Sequence, residues 1–277
     1  MRELTSRVAV VTGAASGIGF ALCERFASEG MKVVMADVER PALAEAAEVL
    51  AGHGHDVLQV PTDVSDAAAV ERLRDKVVDA FGATHILCNN AGVSAPGAVW
   101  ELSSSAWEWV LGVNLVGVVN GLRAFVPLLA KQEEAHIVNT ASIAGLVAGI
   151  LGAYSVTKHG VVALSEALYF SLQQRGLRHV GVSVLCPGMV RTRIVDADRN
   201  LPAGVELPSL RSEEMAMNEM LRQLVEQGTD PAEIAAQVLD AIRSGRFYVT
   251  THPEMLSGVE RRAQEIVAGG PPTAVRP

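Results

Sequence analysis

Short apolar runs punctuate the chain at nearly regular intervals. They read "RVAVVTG" from residue 7, "KVVMADV" from 32, "DVLQVPTD" from 56, "HILCNNAG" from 85, "HIVNTAS" from 136, "GVSVLCPG" from 181 and "FYVTTH" from 247. Between them, apolar positions recur at helical spacing near 17–29, 41–52, 66–81, 103–131, 153–175 and 231–243. Runs that are apolar at consecutive residues suit strands covered on both faces, and strands alternating with helices pair in parallel. The pattern therefore predicts an α/β fold: a parallel sheet of about seven strands between two helical layers, in a single domain.

The residues just after each run are as regular as the runs themselves. "TGAASGIG", "DV", "TDV", "NNAG", "TASIAG" and "PGMVRT" stand directly after successive strands. Gly, Asn and Asp are turn residues wherever they occur. Six such clusters at one sheet edge instead suggest a shared site, because open parallel sheets bind ligands beyond the carboxyl ends of their strands.

Composition narrows the ligand. The net charge of -8 and pI near 5.4, with no cluster of Lys and Arg, argue against a nucleic-acid partner. The apolar stretch in "MRELTSRVAVVTG" is too short for a secretory leader, and no segment is expected to reach the length of a membrane span, which points to a cytoplasmic protein without a membrane partner. Cys23, Cys88 and Cys186 lie in apolar or helical patterns and read as buried reduced thiols. The seven histidines show no ligand spacing and are expected in solvent or beside the site, so no metal is expected.

The first strand runs into Gly13, Gly17 and Gly19 and then into a helix. Glycines there let backbone N–H groups and the positive helix terminus approach a pyrophosphate. The spacing is G-x3-G-x-G, and no Lys-Ser/Thr pair comes after it, which disfavours triphosphate chemistry. Asp37 ends the second strand about 20 residues on, placed to accept hydrogen bonds from the adenosine ribose and to repel a 2′-phosphate. Arg40 complicates that charge balance and Glu39 offsets it. NAD is thus expected over NADP, although Asp37 also reads as a carboxylate closing a turn. Asp63 and Val64 after the third strand, and Asn90, Ala91 and Gly92 after the fourth, fall where an adenine edge and a ribose would lie.

"GAYSVTKHG" sets Tyr154 four residues ahead of Lys158 on one helix face, and Ser142 ends the preceding strand. In this order the chain resembles the short-chain dehydrogenase/reductase family over about residues 5–252, through "TGAASGIG", "NNAG", Asn114, Ser142, "YSVTK" and "PGMVRT". The resemblance implies a Rossmann-like, doubly wound sheet and a nicotinamide cofactor bound also by Ser16 and Ile18. It further implies Tyr154 as general acid/base, Lys158 on the nicotinamide ribose, Ser142 on the substrate oxygen and Asn114 in a proton relay holding a water. Pro187, Gly188, Val190 and Thr192 resemble the segment that holds the nicotinamide carboxamide. Hydride transfer to or from a carbinol carbon requires a proton partner titrating near working pH. A cation beside a phenol is expected to lower its pKa. Plainer readings remain for Asn114, as a polar residue bending an apolar helix, and for Ser142, as a cap.

Residues 189–229 are longer than a usual connection and read as a substrate lid. Within it Ser212 is expected to cap a helix carrying Met217, Met220, Leu221 and Leu224 on one face. That stripe suits a hydrophobic ketone or secondary alcohol, or else it is the lid's own core. An NADP-dependent ketoacyl-type reductase and a non-catalytic dinucleotide-binding regulator are the competing readings. The resemblance also implies a homotetramer. Residues 253–277 form a C-terminal extension with a short amphipathic helix and a tail that is either disordered or laid on a neighbouring subunit.

Overall fold

The computed structural model describes residues 1, 3–149 and 151–274, so the end of the C-terminal tail lies outside the described residues. The chain alternates from β1 (Val8–Thr12), α1 (Gly17–Ser28), β2 (Lys32–Asp37), α2 (Arg40–Gly52), β3 (Val57–Pro61) and α3 (Ala67–Phe81) to β4 (Ile86–Asn89). It continues through α4 (Ser104–Leu111), α5 (Gly117–Leu129), β5 (Ala135–Thr140), α6 (Gly152–Gln174) and β6 (Val180–Cys186). α7 (Ser212–Glu226), α8 (Pro231–Ser244), β7 (Tyr248–Thr250) and α9 (Leu256–Ala268) complete it.

All seven strands pair in parallel in the order β3-β2-β1-β4-β5-β6-β7, a Rossmann-like doubly wound sheet. Side chains along each strand point alternately to two apolar layers. In β1, Ala9 and Val11 join Leu22, Phe26, Leu43 and Ile234 on one face, while Val8 and Val10 join Val70, Leu73 and Phe125 on the other. Consecutive burial of β1 thus explains its unbroken apolar run. The chain moves outward from β1 to β3 and then returns to β4 on the other side, so the crevice between β1 and β4 is the switch point of the sheet.

Helix limits reflect local chemistry. Asp66 accepts the Ala68 N–H at the start of α3, Asp230 does the same for Ala232 in α8, and Gly82 and Gly245 end those helices in the left-handed region. The apolar stretch expected as one helix at 103–131 is interrupted by a π turn, Gly112–Val116. Against expectation, Ser104–Leu129 is long and apolar enough to span a bilayer by length and composition. More than half of its most apolar window is buried in this fold, with Val118, Leu122 and Phe125 in one of the apolar layers.

The three cysteines are buried and unpaired as expected. His136 departs from expectation, because it lies fully inside β5. Its Nε2 is 2.8 Å from Ser183 Oγ, whose hydroxyl already donates to the Arg246 carbonyl, so the ring donates to serine. A Cβ on Gly181 would stand 2.4 Å from the ring, which is why glycine occupies that position. Burial pushes the imidazole down to about 3 from its usual 6.5. Since the unfolded chain takes up this proton first, His136 stabilises the fold above pH 6.5, and the contribution is lost as pH falls toward 3. Denaturant titrations should show unfolding free energy falling less steeply over that window in His136→Gln than in the wild-type protein.

Candidate active site

A cleft of about 1300 Å³ runs along the carboxyl edge of the sheet. The residues assigned from sequence line it, except Gly19 and Asn114. Gly13 and Gly17 both take positive φ, +65° and +54°. A Cβ on Gly19 would stand 1.9 Å from the Gly13 carbonyl, so that glycine shapes the turn from behind. Ser16 precedes α1 in extended conformation and its side chain makes no cap hydrogen bond. Gly17 and Ile18, in the first turn of α1, face the cleft. A bare loop at a positive helix end is the cradle a pyrophosphate needs, and the residues present fit a dinucleotide.

Asn90 stitches three strand ends together. Its Nδ2 donates to the carbonyls of Thr12 at 3.1 Å and Gly13 at 3.4 Å, and its Oδ1 accepts from Thr140 Oγ1 at 3.2 Å. Thr12 Oγ1 in turn accepts the N–H groups of Asn90 and Ala91. Asp37 holds the glycine loop through the Ala15 N–H at 2.9 Å and its own turn through the Glu39 N–H at 3.0 Å. Burial raises its pKa, opposed by those two hydrogen bonds.

At the other end, Lys158 is buried and its ammonium donates to the Thr140 carbonyl at 2.9 Å. Its Nζ lies 5.5 Å from the centre of the Tyr154 ring. Ser142 Oγ accepts the Ala144 N–H, opening the turn Ile143–Gly145, and donates to the Pro187 carbonyl at 3.4 Å. A Cβ on Gly145 would meet the Lys158 carbonyl at 2.6 Å, so this turn rests directly on α6. Asn114 sits behind the cleft in the π turn. Its amide is used by the Val93 backbone in both directions, at 2.8 and 2.9 Å, and by Thr157 Oγ1 at 3.0 Å. A Cβ on Gly92 would lie 3.4 Å from Lys158 Nζ and 3.5 Å from Asn114 Oδ1, which locates both groups against the same glycine.

Comparison with known proteins agrees with this geometry. A family model described as short chain dehydrogenase matches residues 7–201. A Burkholderia phymatum short-chain dehydrogenase/reductase, solved in complex with NAD, superposes with a TM-score of 0.95 at 43% identity, covering 99% of each chain. The CLA biosynthesis dehydrogenase/reductase of Lactiplantibacillus plantarum is 33% identical across 98% of this chain and 97% of its own. The 1-deoxy-11-beta-hydroxypentalenate dehydrogenase of Streptomyces exfoliatus is 38% identical across 91% of this chain and 85% of its own. The chain belongs to the short-chain dehydrogenase/reductase family. It is an NAD(P)-dependent oxidoreductase acting on CH–OH groups.

In this dehydrogenase the charges of the site differ from the sequence-based expectation. Burial raises the Tyr154 phenol above its usual 10, and the Ser142 hydroxyl opposes the rise. Burial also pushes Lys158 down to about 8. An ammonium this desolvated, and more than 5 Å from the ring centre, does not by itself make the phenol acidic.

The segment 189–229, expected as a lid, also departs in detail. α7 is preceded by Arg211 rather than Ser212, because the Glu214 carboxylate accepts the Arg211 N–H at 2.9 Å and pairs with its guanidinium at 3.0 Å. Met217 and Leu221 face the cleft, but Met220 is more than a third exposed and the remaining cleft-lining residues of α7 are Glu213, Glu214, Asn218, Arg222 and Val225. The two ends of the segment 189–229 are joined by a bridge between Val190 and Thr229.

Several residues carry no mark in the sequence pattern. Thr12, Thr140 and Thr157 stand inside the motifs "TGAASGIG", "TASIAG" and "YSVTK", but nothing in their spacing distinguishes them from turn or helix residues. Arg193, Arg199 and Asn200 also line the cleft, where they meet Glu39 from across 154 or more residues. No local pattern distinguishes them. Replacing Thr157 by valine leaves Asn114 Nδ2 with one acceptor fewer in a dry setting and should cost about 1–3 kcal/mol, read from denaturant midpoints.

Proposed function

We propose that this dehydrogenase moves a hydride between NAD and a secondary alcohol or ketone with a bulky apolar body. The observation that carries the proposal is the convergence of Tyr154, Lys158 and Ser142 in one cleft with the glycine loop and Asp37. Its volume exceeds the roughly 300–1000 Å³ typical of a pocket for one drug-sized ligand, which leaves room for a substrate beside a dinucleotide. Trp109, Val147, Met189, Met217 and Leu221 line the same cleft and supply its apolar walls. The NAD complex of the Burkholderia relative supports the cofactor, and Asp37 supports it through repulsion of a 2′-phosphate.

When bound, nicotinamide accepts or donates the hydride and, oxidised, carries positive charge. Tyr154 takes the hydroxyl proton as the carbinol carbon is oxidised and returns it during reduction. Ser142 donates a hydrogen bond to the substrate oxygen, where negative charge develops. Lys158 holds the nicotinamide ribose, its ammonium aimed by the Thr140 carbonyl. Asn114 takes part in the proton path through a held water. Residues 189–229 act as the lid of a catalytic domain spanning 1–252. Copies of the chain associate, burying exposed Val116, Val156 and Phe170.

Because the phenol's pKa is raised, alcohol oxidation should climb with pH through the alkaline range, and ketone reduction should gain as pH falls. A panel of polar and bulky apolar alcohols, followed by absorbance of the reduced cofactor, tests both proton role and substrate class. Equal turnover of small polar alcohols would remove the apolar assignment. Tyr154→Phe should lower kcat by about 10²- to 10⁴-fold while leaving NAD affinity within a few-fold. Light scattering should return a mass well above 29.2 kDa.

A further inference from the structure

Beyond Asp37, a second carboxylate stands at the adenosine end of the cleft. Glu39 Oε1 accepts from Arg199 Nε at 2.8 Å and from Asn200 Nδ2 at 2.9 Å, and Arg193 Nη1 is 3.9 Å from Oε2. Arg199 Nη1 also donates to the carbonyls of Arg193 and Asp196, each at 2.8 Å, so its guanidinium is fixed before any ligand arrives. These donors belong to the lid, in the turn Ile194–Asn200 and just before it. Glu39 lies just past β2, and its N–H is held by Asp37. Two guanidiniums and an amide that converge on one carboxylate form a ready anion site, and a phosphate monoester is the other group whose oxygens match such a fork.

We infer that the Glu39 carboxylate occupies the anion site that the 2′-phosphate of NADP would otherwise take between Arg193 and Arg199, and in doing so latches the lid to the adenosine rim. The inference rests on the NAD reading above, and it adds a second means of selection. Asp37 acts on the ribose hydroxyls, whereas Glu39 keeps two lid cations from recruiting a phosphate. It also explains why the basic residues here do not by themselves favour NADP: their charge is answered from within the chain. Arg40, the cation nearest in sequence, does not line the cleft.

Dissociation constants for NAD and NADP, measured by titration calorimetry on the whole protein, test it. In Glu39→Ala the ratio of NADP to NAD affinity should rise about tenfold or more, the scale of one or two hydrogen bonds to a charged group. Glu39→Gln, which keeps a side-chain oxygen for Arg199 and Asn200 and so preserves the lid contact, should shift the ratio in the same direction by a smaller factor. Glu39→Ala/Arg199→Ala should lose most of the gain. An unchanged ratio in Glu39→Ala overturns the inference. So does a gain that survives in the double variant, because removal of negative charge alone would then account for it. The wild-type ratio separately judges the NAD reading: a protein that already prefers NADP would refute that reading, while the change caused by Glu39→Ala would still report on the anion site.

Discussion

The amide of Asn90 is the contact on which the site depends. Parallel strands that end side by side leave backbone carbonyls facing a crevice, and each needs a partner where water is scarce. Asn90 serves the ends of β1 and β5 from the end of β4, while Thr12 Oγ1 accepts the backbone N–H groups of Asn90 and Ala91. The strand ends at the switch point are thereby held at fixed spacing with the glycine loop above them. Thr140, joined to Asn90 through its hydroxyl, uses its carbonyl to aim Lys158. The glycine loop and the Tyr154–Lys158 end of the cleft are thus connected through one side chain and its two threonine neighbours.

Burial governs the electrostatics of both ends. It raises Tyr154 and Asp37 and lowers Lys158, in each case by penalising the charged form. A positively charged nicotinamide beside Tyr154 would work against that penalty, as the Ser142 hydroxyl already does. At Glu39 the balance reverses. Burial would raise Glu39, but hydrogen bonds and charge from Asn200, Arg199 and Arg193 hold it below its ordinary range.

Strand positions were legible because burial on both faces demands consecutive apolar residues, a signal carried within five or six positions. The glycine loop, Asp37 and the Tyr154–Lys158 pair were legible for a similar reason: their geometry is local, set by one turn or one helical repeat. Asn114 was legible as a polar residue in an apolar helix, yet its surroundings were not. The π turn shifts the helical register around it and gives its amide to Val93 and Thr157, which lie on separate elements. His136 looked like an ordinary polar residue because only the packing of β5 against β6 supplies Ser183 as its acceptor and Gly181 as the space for its ring.

By itself, then, the order of apolar runs and strand-end motifs determined a doubly wound parallel sheet and brought the glycine loop, Asp37, Ser142 and the Tyr154–Lys158 pair to one cleft along its edge. Each of these is encoded in short-range spacing that backbone geometry converts directly into shape. Tertiary structure alone decided which side of α7 faces the cleft, how burial shifts the Tyr154 phenol up and the Lys158 ammonium down, and that Glu39 answers Arg193 and Arg199. Those outcomes depend on distances between residues far apart in the chain and on the water that folding removes around them, and neither quantity is written in local sequence.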